Sequence, residues 1–244
     1  MEKLAIVIPM ANEEDTASTF IEHLIHIVRK RIKIETSIYL VVDDYSTDRT
    51  WDILREMALQ YSELNPSYFA ESTGLASCYI HGYKLAMEDG ADYIIEMDAG
   101  HSHPPDRLTD ILLSLRGGYD AVFMSRFLLP GGYRGPLVRK LISIGGTILF
   151  NKYLGYNLSD ATSGFHGFRR ELIEKINFDS FMSKGHFFQT ELKFHVITNT
   201  VRIKELPFFY VASESSFKGG ELVDSLKILR KLKRNKPKQF KIML

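Results

Sequence analysis

The chain has a single cysteine, Cys78. No intrachain disulfide can form and no cysteine-rich zinc module is possible, a pattern expected of a reducing compartment. Long apolar runs are missing too. The longest strongly apolar, uncharged stretch, Leu141 to Asn151 between Lys140 and Lys152, falls far short of the roughly 20 residues that span a bilayer. Leu4 to Ile8 is too short for a secretory signal and ends at Pro9, so neither export nor membrane insertion is expected. Phosphate-cradling patterns are also lacking. No G-x-G-x-x-G follows the first apolar run and no G-x-x-x-x-G-K-[ST] occurs anywhere, which argues against a dinucleotide oxidoreductase and a P-loop NTPase. What is present is an ordinary globular composition, 45% hydrophobic and 25% charged over 244 residues with 17 Gly and 8 Pro. That excludes disordered and fibrous classes and leads us to expect one compact body.

Formal net charge is +1, but the balance is uneven along the chain. Lys227, Arg230, Lys231, Lys233, Arg234, Lys236, Lys238 and Lys241 follow Leu226 with no acidic partner, so the remainder is acidic overall. Such a block suits anionic lipid, where each basic residue near the surface contributes about 1 kcal/mol. Nucleic acid and a plain solvated helix face are the other readings.

Short apolar runs alternate with amphipathic segments. Strands are expected at Leu4–Ile8, Ile38–Val42, Tyr68–Ala70, Tyr93–Met97 and Ala121–Met124. Helices fall between them. The first carries Phe20, Leu24, Ile27 and Val28 on one face and ends in Arg29, Lys30 and Arg31. The second is N-capped by Asp48. A small-residue helix spans Leu75 to Glu88, and Pro104 and Pro105 open another that Gly117 and Gly118 close. This alternation implies parallel pairing, hence a three-layer α/β sheet. After it come a Gly- and Pro-rich loop, Leu129 to Pro136, an apolar helix, Leu137 to Tyr153, and a mixed region to Val211. We divide the chain into a body, residues 1–220, and a basic C-terminal helix or tail, 221–244.

Ligands of open parallel sheets lie at the carboxyl ends of the strands. Pro9 to Glu13, Asp43 with Asp44, and Asp98 all follow strands, so four acidic groups gather on one edge. Carboxylates there serve a metal, a ribose hydroxyl or a base N–H.

Six segments, IVIPMANEE, VVDDYSTDRT, GLASCYIHGYKLA, YIIEMDAGHSHPPD, DATSGFHGFRR and SKGHFFQTE, together resemble glycosyltransferase family 2, which has the GT-A fold with a mostly parallel central sheet. Within it the chain is most similar to the polyprenyl-phosphate mannose synthase branch, from about Leu4 to Gly220. The resemblance implies that Pro9, Asn12 and Glu13 contact a nucleotide, in a turn where Ala11 replaces the family's Tyr. It implies that Asp43 and Asp44 take base and ribose, and that Asp98, opening the D-x-D, binds a divalent ion, Mg²⁺ or Mn²⁺, at the diphosphate. The second carboxylate of that motif is Gly100 here. Phosphates and water completing the ion's shell, cations replacing the ion, and an inactive site all stay open. His101 and His103 flank the position, either as loop residues or as ligands suited to Mn²⁺ or Zn²⁺.

By the same resemblance, Asp160 stands beside the acceptor, orienting a sugar hydroxyl or a phosphate-binding arginine, and Arg139 with Lys140 bind the acceptor phosphate. Arg126 and Arg169 are further cations for it, with Arg169 offsetting His166, which stands where the family has Arg. Gln189 and Glu191 contact the sugar. The expected reaction inverts configuration and moves mannose or glucose from GDP-mannose or UDP-glucose to a polyprenyl phosphate, with Asp98, Asp160 and Arg139 at its centre. A glycan acceptor and a catalytically degenerate nucleotide-binding subunit are the alternatives. The expected setting is peripheral, on the cytoplasmic membrane face, with no nucleic acid partner. Because the apolar helix serves equally as a core or dimer element, a homo-oligomer stays open.

Overall fold

The computed structural model describes residues 1–100, 102–212 and 221–236, the side chains of 221–223 aside. His101, Lys238 and Lys241, and the stretch before the expected 220/221 boundary, lie outside the described residues.

The first half alternates as expected: β1 (Lys3–Pro9), α1 (Ala17–Arg31), β2 (Glu35–Val42), α2 (Thr50–Ala58), β3 (Leu64–Tyr68), α3 (Leu75–Glu88), β4 (Tyr93–Glu96), α4 (Leu108–Arg116) and β5 (Ala121–Ser125). Then follow β6 (Gly132–Arg134), α5 (Leu137–Leu154), β7 (His166–Arg169), α6 (Arg170–Ile173), α7 (Phe188–Asn199), β8 (Ile203–Pro207), β9 (Phe209–Val211) and α8 (Glu221–Asn235). Seven strands form one sheet in the order β3-β2-β1-β4-β7-β5-β8, and β6 pairs with β9 beside it.

Because side chains alternate across a strand, β1 sends Leu4, Ile6 and Ile8 into a core shared with α1, α2 and α4. Its Ala5 and Val7 enter a second core with α3, α5, α7 and α8. Burial on both faces makes the three layers and explains the near-continuous apolar strands. A Cβ on Gly82 would lie 2.2 Å from Val7 Cγ1, and one on Gly167 2.2 Å from Ile111 Cγ2, so these glycines let α3 and α4 lie directly on the sheet.

Three local expectations change. The third strand is Leu64–Tyr68, set by its parallel register with β2 from Ile38↔Leu64 to Val42↔Tyr68, rather than Tyr68–Ala70. Pro66 is tolerated because β3 is an edge strand. The Gly- and Pro-rich loop contains β6, whose Gly132 to Arg134 pair in parallel with Phe209 to Val211. Helix α2 begins at Thr50 rather than directly after Asp48, although Asp48 still accepts from the Thr50 N–H at 3.0 Å.

The mostly parallel sheet holds one antiparallel member: β7 runs against both neighbours, β4 and β5. The basic tail is helical where described. Ile228, Leu229 and Leu232 of α8 are buried against α5, in one cluster with Phe150 and Leu154. Lys233 lies over the Tyr153 ring at 4.1 Å and Lys236 over Tyr156 at 4.6 Å. Among the described residues no helix is long and apolar enough to cross a membrane.

Candidate active site

The parallel strands β1, β2, β4 and β5 deliver Pro9, Asp43, Asp98 and Arg126 to the same sheet edge. Two loops there are pinned together by Asn12, whose φ of 58° is unusual for a non-glycine residue. Its side-chain amide donates to Tyr45 O (2.9 Å), its Oδ1 accepts from Thr47 N (3.0 Å), and its backbone N–H donates to Ser46 Oγ (3.1 Å). Glu13 N–H donates to Thr50 Oγ1 at 2.8 Å. The side chain of Asn12 is therefore committed to joining loops, and those bonds hold its left-handed backbone.

Asp43 and Asp44 have different surroundings. Asp43 is 5% exposed; its Oδ2 accepts from Ser72 Oγ at 2.7 Å and Cys78 Sγ at 3.2 Å, and its Oδ1 from Tyr45 N at 3.2 Å. Burial, the Ser72 hydroxyl notwithstanding, pushes the Cys78 thiol up to about 12, so the thiol acts as a donor. Asp44 is exposed and, among the described residues, accepts from the Tyr68 hydroxyl alone. Asp43 anchors the loop, and Asp44 is the open carboxylate.

Asp98 follows β4, with its side chain 43% exposed. Tyr79, fully buried on α3 and stacked on Phe188 at 5.8 Å, donates to Oδ1 at 2.8 Å. His103 accepts the Asp98 backbone N–H at Nδ1 (2.9 Å), and its Nε2 lies 3.5 Å from Oδ2. Gly100 has a φ of 74°, and a Cβ built there would lie 3.7 Å from Glu13 Oε2. The site thus supplies one exposed carboxylate on Asp98, and among the described residues no group of three or more His, Cys, Asp or Glu gathers as a metal cluster. One or two carboxylates plus substrate phosphates is a normal donor set for Mg²⁺, so the residues fit a nucleotide-bridged ion better than a free-standing one.

Arg126 and Asp160 form a buried bidentate pair, Nε to Oδ2 at 2.7 Å and Nη2 to Oδ1 at 2.9 Å. Asp160 also accepts from the backbone N–H groups of Thr162 and Ser163, at 3.0 and 3.1 Å. Its carbonyl accepts from the buried Lys193 ammonium. Burial alone would raise the Asp160 carboxyl, but the charge and hydrogen bonds of Arg126 outweigh it and bring it down to about 2. Burial lowers Lys193 to about 8 despite Asp160 and Glu205. The Arg126 guanidinium lies over the Tyr210 ring at 5.3 Å. Asp160 thus fixes the orientation of the Arg126 guanidinium.

Arg139 and Lys140 stand in the first turn of α5, whose N-cap is Pro136. Arg139 is close enough to Tyr210 to act on its hydroxyl electrostatically. A helix start favours anions through its unpaired N–H groups.

Of three further candidates, Arg169 lies away from the open edge, and Gln189 and Glu191 are buried. Arg169 ends the antiparallel β7 opposite Tyr93, at the start of β4, so it sits on the far edge of the sheet. There its guanidinium donates to Leu115 O (2.6 Å) and Tyr119 O (3.2 Å). Glu191 is fully buried and accepts from the N–H groups of Met182 and Ser183, at 3.0 and 2.8 Å, ordering the turn before α7. Gln189 is 5% exposed and packs against Gly164, with neither amide atom hydrogen-bonded. The sequence reading missed Tyr79 and left His103 between two roles. The available signal was His103 lying five residues beyond a strand-end aspartate, within reach of that aspartate's own loop.

The model of the family "Glycosyl transferase family 2" matches residues 5–177. The chain is 34% identical over 223 residues to an undecaprenyl-phosphate mannosyltransferase of Micrococcus luteus, covering 89% of this chain and 88% of that one. It is 28% identical to a polyprenol monophosphomannose synthase of Mycolicibacterium smegmatis, with 87% and 79% covered. Among solved structures, glucosyl-3-phosphoglycerate synthase of Mycobacterium tuberculosis with Mn²⁺, UDP-glucose and glycerol 3-phosphate matches with a TM-score of 0.67 and 16% identity, over 96% of this chain and 80% of that one. That likeness bears on the fold.

Proposed function

The chain belongs to glycosyltransferase family 2, and from that premise we propose that it moves a hexose, mannose first and glucose second, from GDP-mannose or UDP-glucose to a polyprenyl phosphate at a membrane surface. The observation that carries the acceptor is the layout of α5. Arg139 and Lys140 stand at its start, and Leu137, Val138, Leu141 and Ile148 along it are 58–69% exposed. A groove of about 320 Å³, lined by Phe127, Ile144, Thr147, Ile148, Asn151, Leu158 and Ser159, runs beside it. Cations for a phosphate beside an apolar surface for its tail match a lipid phosphate. The polyprenyl-phosphate relatives support the same acceptor.

In this reading the nucleotide lies along the Pro9–Glu13 and Asp43–Asp44 loops, with Asp44 open to it and Asp43 and Asn12 holding the loops. Asp98 faces the diphosphate and would hold Mg²⁺ or Mn²⁺ there, an ion that supplies Lewis-acid stabilisation of the leaving diphosphate. A phosphomonoester has its second pKa near 6, so at pH 7 it is already mostly a dianion and needs no general base. Its oxygen attacks the anomeric carbon and forms the new C–O bond. The bond to the nucleoside diphosphate breaks with the electron pair leaving on that group, which inverts configuration. The remaining difficulty is holding two anions together, which preorganised positive charge relieves. Arg139 and Lys140 supply that charge, with Arg126 behind them fixed by Asp160.

The exposed apolar face of α5 and the basic α8, packed against Phe150 and Leu154 of the same helix, support a peripheral contact of the open edge with an anionic membrane, on its cytoplasmic side in this reading. The basic segment from residue 221 acts as an appendage to the catalytic body. The double variant Arg139→Ala/Lys140→Ala tests the acceptor assignment. Transfer to a short-chain polyprenyl phosphate is expected to fall by roughly 100-fold or more, since charge-assisted phosphate contacts contribute about 1.5–3 kcal/mol each. Nucleotide affinity should stay unchanged in calorimetry. Undiminished lipid transfer would place the phosphate elsewhere.

A further inference from the structure

One side chain holds the Asp98 backbone and lies close to its carboxylate. Its backbone N–H donates to Nδ1 of His103 at 2.9 Å, and its Oδ2 lies 3.5 Å from Nε2 of the same ring. A backbone N–H can only donate, so Nδ1 is the acceptor and the neutral ring carries its proton on Nε2. Neither nitrogen is then available as a metal ligand, which resolves the two roles left open for His103 in the sequence. The ring itself has little freedom: it is 2% exposed, stacked on Phe165 at 5.0 Å and 10°, and edge-on to Phe208 at 5.6 Å. Tyr79 holds the other carboxylate oxygen at 2.8 Å from an equally buried position. Between them the two groups leave the outer side of the Asp98 carboxylate facing solvent.

We propose that His103, locked as the Nε2–H tautomer, is the positioning residue that fixes the Asp98 backbone and, through it, sets the carboxylate toward the nucleotide diphosphate and its ion. Gly100, two residues after Asp98, has a φ of 74° and carries no side-chain restraint of its own. His103 therefore fixes the Asp98 backbone N–H, while Tyr79 restrains the carboxylate. The inference rests on the reading that Asp98 faces a nucleotide diphosphate, and its test uses no lipid acceptor, so it fails or stands apart from the acceptor assignment.

Nitrogen-15 NMR of histidine-labelled protein reads the tautomer directly, with His103→Gln identifying the signal. Mn²⁺ titrations in the presence of GDP, and separately UDP, followed by the EPR signal of free Mn²⁺, read the consequence. The expected result is an Nε2–H signature for His103 and a 10- to 100-fold weaker Mn²⁺ affinity in His103→Ala, the range for groups that orient a ligand. His103→Asn, which can still accept the Asp98 N–H, should recover part of that loss at a thermal midpoint no higher than that of His103→Ala. An Nδ1–H signature would overturn the proposal, as would no Mn²⁺ binding by the unaltered protein with either nucleotide. So would an unchanged affinity in His103→Ala, or equal losses in both variants.

Discussion

Asp160→Ala is expected to lower the unfolding free energy by about 3–5 kcal/mol, the range for removing one partner of a buried ion pair. The size follows from what remains. Arg126 is 7% exposed and its guanidinium is committed to Asp160 and Thr162, so the variant keeps a buried cation without its counter-ion. The backbone N–H groups of Thr162 and Ser163 lose an acceptor as well. Urea unfolding should show a lower midpoint at an unchanged slope. Replacing both members, as Arg126→Met with Asp160→Leu, should recover much of the stability, because an apolar pair of similar volume carries no desolvation cost. Activity should not return with it.

The pair also sets an acid limit. The folded Asp160 carboxyl sits at about 2 against an ordinary value of 3.8, so the unfolded chain takes up the proton first. The stabilisation is complete above about pH 4 and is lost as pH falls toward 2. It amounts to about 2 kcal/mol at 1.36 kcal/mol per pKa unit. Asp160→Asn should remove this slope from the acid unfolding profile.

Asp98→Ala is expected to reduce kcat for sugar transfer by roughly 1000-fold, corresponding to about 4 kcal/mol of transition-state stabilisation. Asp98 is the exposed carboxylate that follows β4 on the open edge, and Gly100 supplies no second one. The variant also leaves the Tyr79 hydroxyl without its acceptor, so a loss of about 1–3 kcal/mol in stability accompanies the fall in kcat. Steady-state kinetics beside a thermal melt checks this: a large fall in kcat with only a modestly lowered midpoint, the protein still folded at the assay temperature, is the expected combination.

Much of this edge was legible in the sequence because β1, β2, β4 and β5 are short apolar runs and the aspartates stand where β2 and β4 end. A rule about strand ends needs only the order of elements. What escaped depended on pairing between distant segments. Nothing local in His166–Arg169 says that the strand inserts antiparallel between β4 and β5, and that reversal is what carries Arg169 to the far edge. Leu64–Tyr68 hid as a strand because an edge position with Pro66 shows little alternation. Glu191 and Gln189 looked available as polar groups three and one residues into a helix, but α7 turns that end of the helix into the core. Asn12 showed its residue type without showing that its amide would be consumed by the neighbouring loop.

The most direct test is transfer of labelled sugar from GDP-mannose and UDP-glucose to a short-chain polyprenyl phosphate, with Mn²⁺, with Mg²⁺ and with EDTA. The account predicts a lipid-phosphate-linked hexose of inverted configuration, formed with either metal and suppressed by EDTA. Nucleotide binding without any lipid product, or transfer to a glycan acceptor instead, would contradict it.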